Sequence, residues 1–152
     1  MTPATSSIGV RTRALVLVGA AAVLVSGWVH FYLSFRGGYR GIAPESVAGL
    51  TISRSFALNA IVAVVLAEAL VLATRIYRLA LPAAVGGVLF AAATLVAYVL
   101  SRTSGLLGFE ESSTSTEAVV ALVAEIVALL VLVPVALGAT VRRRPAPVPV
   151  TT

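Results

Sequence analysis

The chain has 152 residues, 59% of them hydrophobic and only 11% charged, with a net charge of +5. Soluble domains carry about 25% charged residues, so this composition excludes a soluble fold and makes the bilayer the fitting solvent. All basic residues are arginine and all acids glutamate, with one histidine and no cysteine, which excludes disulfides, thiolate metal sites, Asp-rich divalent-cation motifs and a bis-histidine haem within one chain.

Residues 1–10 are small and polar and are expected to form a disordered tail. Arg11 and Arg13 then precede an apolar run from Ala14 to Phe35. A basic start followed by an apolar stretch is shared with signal peptides, whose apolar region is only about 7–15 residues long. This longer run is expected to be an uncleaved first span. Three more runs give expected spans at 14–35, 54–74, 79–101 and 117–141. Each has roughly the 20 residues that cross ~30 Å of hydrocarbon. The expectation is an all-α polytopic membrane protein, an antiparallel four-transmembrane-helix bundle within residues 11–141. Residues 142–152 form a basic and then proline-rich tail.

The connections refine this plan. Gly37-Gly38-Tyr39-Arg40-Gly41 and Pro44 predict a helix exit and a turn after the first span. Arg75 to Arg78 leaves so short a link that spans two and three are expected to be antiparallel neighbours. The S-T-S-T-E ending at Glu117 reads as an N-cap with an acid in the first turn of span four. Pro134 is expected to kink that span. Arg11, Arg13, Arg75, Arg78 and Arg142 to Arg144 fall on one side with no acid among them. That side is expected to be cytoplasmic, with both termini inside, in the plasma membrane of a bacterium.

Two acids, Glu68 and Glu125, lie within the spans. A carboxylate there costs several kcal/mol unless it is paired, hydrated or neutral, on the order of the figures for buried charge. Glu125 is about 12 Å below the outer surface and His30 about 9 Å, whereas Glu68 is about 10 Å from the inner surface. Helical spacing sets Gly19, Ala22, Ser26 and His30 on one stripe, and Gly87, Ala91, Thr94, Tyr98 and Ser101 on another. Ala121, Glu125 and Ala128 form a third stripe, and Ser55 and Asn59 a short polar one on span two. The expected outcome is an outer polar cluster of His30, Asn59, Tyr98 and Glu125, with Arg36, Arg40 and Arg102 above it and Glu68 apart. Each residue also has a plainer role. His30 and Trp28 suit an interfacial belt, Asn59 an interhelical hydrogen bond, and Glu125 a structural bond to His30 or Tyr98. Glu68 is placed to reach toward Arg75 or Arg78.

His30-Phe-Tyr-Leu33, Gly37-Gly-Tyr-Arg-Gly-Ile42, Phe56-Ala-Leu-Asn59-Ala60 and Gly105-Leu-Leu-Gly-Phe-Glu110 resemble a family of small bacterial four-span membrane proteins. Here Ile42-Ala43-Pro44 stands where that pattern has Ile-Pro directly. The resemblance implies a four-helix fold and no activity. Likeness to DoxX-like proteins is confined to general architecture.

Three functions fit. The first expectation is a non-enzymatic accessory or self-associating subunit, with membrane lipids and a protein partner or further copies of itself around it. The alternative is binding or transport of a lipid-like or anionic small molecule in the outer cluster. An enzyme with His30 as base lacks a nucleophile motif, metal set or cofactor fingerprint, so none is expected. The placement of the positive charge suits membrane orientation and not nucleic acid.

Overall fold

The computed structural model describes residues 9–36, 39, 49–107, 110–112 and 114–142, excluding the side chains of 139–142. Four helices account for nearly all of it: α1 Val10–Phe35, α2 Ile52–Ala73, α3 Ala80–Thr103 and α4 Thr116–Arg142. Each is long and apolar enough to cross a membrane, and there is no strand among the described residues. The protein is therefore an all-α, multi-pass membrane protein built as a four-helix bundle. We call the end carrying the α1–α2 and α3–α4 connections the loop end, and the other the terminal end.

Local chemistry explains the helix limits. Thr51 caps α2 by accepting the N–H of Arg54, and Ser115 caps α4 by accepting that of Ala118 at 3.1 Å. Glu117 lies in the first turn of α4, as expected, where a negative charge meets the positive end of the helix dipole. α1 begins four residues earlier than the apolar run, because Val10 to Arg13 are already helical. At the end of α3, Gly105 at φ 76° and Leu107 at φ 53° turn the chain back over the bundle. The N–H of Glu111 then donates to the carbonyl of Ser101 at 2.8 Å. α4 continues through Pro134 without a break. The expected glycine-rich turn at residues 37–44 lies outside the described residues except for Tyr39, and the tails at 1–8 and 143–152 lie outside them entirely.

Round the bundle, α1 packs on α2 and α4, and α3 on α4, while the α2–α3 seam is the thinnest. Spans two and three are thus neighbours, but their short link does not make them the closest pair. α1 and α2 are pinned at both ends. At the loop end Ser34 and Ser53 each donate to the other's carbonyl, at 3.0 and 3.2 Å. At the terminal end Arg13 donates to the carbonyl of Thr74 at 3.3 Å, satisfying a helix terminus that has no partner of its own. Between these pins, Gly27 lies so close to α2 that any Cβ there would collide with the Cβ of Ala63.

The terminal half is apolar and tightly packed. Leu132 of α4 is fully buried and fits between Gly19 of α1 and Gly87 of α3. A Cβ on either glycine would lie 2.5 Å from a Leu132 methyl. Lipid is as apolar as a leucine side chain, so close fit of this kind, and not expulsion of water, is what favours helix association here. The outward faces carry exposed Val, Leu and Ile, and on α1 an aromatic ladder of Trp28, Phe31 and Phe35 with ring centroids 5.8 and 4.7 Å apart.

Candidate functional site: a polar cavity at the loop end

The loop-end half is different. It holds a cavity of about 130 Å³ whose wall draws on all four helices and both loops.

The geometry starts from α1. The Nδ1 of His30 lies 2.8 Å from the carbonyl oxygen of Ser26, one turn earlier. A carbonyl only accepts, so Nδ1 carries the proton, and the lone pair of the neutral ring resides on Nε2. Phe56 of α2 meets the ring edge-on at 5.3 Å and fixes its plane. The hydroxyl of Ser26 has another target: it donates to Oε1 of Glu125 on α4, at 2.9 Å. Both Ser26 and Glu125 are buried. Removing that donor would leave a carboxyl group with one fewer partner in a medium that supplies none.

Asn59 of α2 and Tyr98 of α3 complete the wall. The Oδ1 of Asn59 is buried with no hydrogen-bond partner, an uncommon state for a buried polar atom. Toward the loops, Tyr39 donates to Oε2 of Glu111 at 3.2 Å and packs edge-on against Phe56 at 5.0 Å. Burial first, then the neighbouring Glu111 carboxylate and its hydrogen bond, push the Tyr39 phenol up to about 12. Folding thus favours the protonated phenol. The stability it contributes is complete below pH 10.0, the ordinary phenol value, and is lost as pH rises toward about 12. Spectroscopic titration of tyrosine ionisation should show a group that ionises near pH 12, and Tyr39→Phe should remove that late step. A variant whose titration curve overlays the wild type would mean that Tyr39 is not held by Glu111.

The structure therefore brings His30, Asn59, Tyr98 and Glu125 to one cavity. It separates His30 from Trp28, which points out on the membrane face at 68% exposure. His30 and Glu125 meet through Ser26, which stands in place of the plainer alternative of a bond from Glu125 to His30 or Tyr98. Arg36 and Arg102 lie at the loop end, beyond the cluster, but do not line the cavity. Arg36 and Arg102 are exposed and absent from the cavity wall, and Arg102 donates to Thr114 of its own loop at 3.3 Å. Arg40 lies outside the described residues. Glu68 is exposed on the membrane-facing side of α2, remote from the cavity wall.

Ser26, Tyr39 and Glu111 were not singled out from the sequence as site residues. Ser26 is four residues before His30 on the stripe of small residues, a spacing that marks a shared face but not a hydrogen bond to another helix. Tyr39 and Glu111 come from loops, where no period exists to place them.

Ser26, His30 and Glu125 contain the residue types of a catalytic triad without its order of bonds. The serine proton goes to the glutamate and the imidazole N–H to a backbone carbonyl, so no imidazole lone pair faces the hydroxyl. Among the described residues no three His or Glu side chains converge as a metal site. The arrangement is instead suited to holding a small molecule by hydrogen bonds. Compared with the models of known protein families, with curated proteins and with solved structures, the chain finds no match in any of the three. The resemblance noted above therefore stands on its quoted residues alone.

Proposed function

We propose that the protein is a binding or transport protein that takes a small amphiphilic molecule into the loop-end cavity. The observation that carries this is the unpartnered Oδ1 of Asn59, buried in a cavity wall that also contains His30, Tyr98 and Glu125. Helix association alone gives no reason to leave a buried acceptor unsatisfied. The seven arginines that the sequence groups on the side of Arg11, Arg13, Arg75 and Arg78 orient the terminal end to the cytoplasm of a plasma membrane and open the cavity toward the outer leaflet. Entry between α2 and α3 follows from their thin seam. The carboxylates in the wall, with no arginine among its described residues, favour a lipid-like ligand over the anionic one that the sequence also offered.

A second reading, association with another chain, is favoured by Glu68. It stands exposed among membrane-facing residues of α2 such as Val64, Val65 and Leu72, where lipid chains offer it no hydrogen bond. No catalytic role is proposed.

One experiment addresses both. Native mass spectrometry of the protein in lipid nanodiscs should show a bound small molecule in the wild type that is lost in His30→Ala and Glu125→Gln. Identical spectra for all three, with bulk lipid only, would exclude the binding role. The same spectra count chains, and one copy alone in every particle would count against association through Glu68.

A further inference from the structure

The membrane-facing side of the α1–α2 pair carries a second concavity, separate from the loop-end cavity: a groove of about 410 Å³. Its floor is the close approach of the two helices, where Gly27 lies against Ala60 and Ala63 and no side chain is long enough to fill the space above. The aromatic ladder of Trp28, Phe31 and Phe35 forms one wall, and Ile61 and Val64 form the other. Every lining side chain is hydrophobic, and the wall residues are exposed on the face that a membrane-spanning bundle turns to lipid. On α1 the groove runs from Leu24 to Phe35, about 16 Å at 1.5 Å per residue, or one leaflet of a ~30 Å hydrocarbon core. It stops one turn short of Glu68, which follows Val64 by four residues on the same exposed face.

We infer that this groove is a fixed site for one acyl chain of an anionic phospholipid, whose phosphate lies at Arg54. Arg54 is exposed at the loop end of α2, three residues before Ala57 of the groove and seven before Ile61, and so on their face of the helix. Of its five N–H donors, one is engaged by the carbonyl of Gly49 at 2.8 Å. Among the described residues no carboxylate pairs with it. Arg36, also exposed, directly follows Phe35 and adds a second positive charge at this level. The whole segment 36–54 has three arginines against one acid, Glu45. Phosphate oxygens are the geometric and electrostatic complement of a guanidinium. The length of the groove also favours lipid over a second copy of the chain. A partner helix crosses both leaflets and would need an apolar path past Glu68, whereas a lipid chain ends near the midplane, as the groove does.

Trp28, the only tryptophan of the chain, stands in the groove wall and reports on it directly. The full chain is placed in vesicles of phosphatidylcholine that contain rising fractions of a phospholipid brominated at mid-chain, either phosphatidylglycerol or phosphatidylcholine. Bromine quenches tryptophan fluorescence on contact. Brominated phosphatidylglycerol should reach half-maximal quenching at a mole fraction about fivefold lower than brominated phosphatidylcholine, the order expected for one arginine near an anionic headgroup. Arg54→Gln should bring the two curves together. Ala57→Leu, which narrows the groove and leaves the arginine in place, should do the same. Wild-type curves that overlap would overturn the site. So would a Trp28 that neither lipid quenches, the result expected if a second copy covers this face. A preference that survives both substitutions would put the anionic lipid elsewhere and equally overturn the inference.

Discussion

Gly27→Ala should destabilise the bundle by about 1–3 kcal/mol, the usual range for overpacking, and the paired change Gly27→Ala with Ala63→Gly should restore most of it. The reason is where the collision falls. The new methyl would meet the Cβ of Ala63, an atom fixed to the α2 backbone, with the backbone of Ala60 close behind at 3.7 Å. Neither can rotate away, so α1 and α2 must separate. Separation is costly because the Ser34–Ser53 clasp and the Arg13–Thr74 bond hold the two helices at either end. Moving the single methyl from α2 to α1 keeps the number of carbons at the contact and so should recover the close approach. Thermal unfolding in a mild detergent, with the single changes and the pair side by side, reads this directly. A pair no more stable than Gly27→Ala alone would show that the contact at Gly27 does not govern the spacing of α1 and α2.

The contrast between Gly27 and His30 shows what the sequence could and could not reveal. The four spans were legible because hydrocarbon thickness imposes a length, and apolar runs of that length have few other uses. The interior stripes were legible too: Gly19, Ser26 and His30, and Gly87 and Ala91, are all buried as their spacing predicts. Period alone also gathered His30, Asn59, Tyr98 and Glu125, since helix rise gives the depth of each residue. It could not say whether arginines beyond the cluster would enter the cavity wall, because a long charged side chain at a helix end follows water and not the stripe below it. Arg36 and Arg102 are exposed and stay out of that wall. It also failed to find Ser26 as the donor to Glu125, because a helical stripe fixes which way a residue faces but not the neighbour it meets. Gly27 was invisible for the same reason. Its closeness to Ala63 depends on how two helices approach each other, and neither helix encodes that alone.

Leu132→Ala should cost about 2 kcal/mol, toward the low end of the range for deleting a buried leucine. In water the loss has two parts, the transfer of the missing atoms and the void they leave. Between membrane helices the first part nearly vanishes, because a leucine on a separated helix is already in lipid. The void remains, and it cannot close easily. Leu132 is fully buried and reaches Gly19 on one side and Gly87 on the other, and neither glycine has a side chain to turn into the gap. Gly19→Ala alone should also destabilise, since its methyl would lie 2.5 Å from Leu132 Cδ2. The two faults are opposite in sign. In Gly19→Ala with Leu132→Ala the new methyl enters the vacated space, so the loss should be smaller than the sum of the single losses by about 1 kcal/mol, within the range of coupling between residues in contact. Additive losses in a double-mutant cycle would mean that α1 and α4 do not meet at this contact, and that the terminal half is held by other pairs. Coupling of the expected sign would show that α1 and α4 are held together in the terminal half by the fit of Leu132 against Gly19.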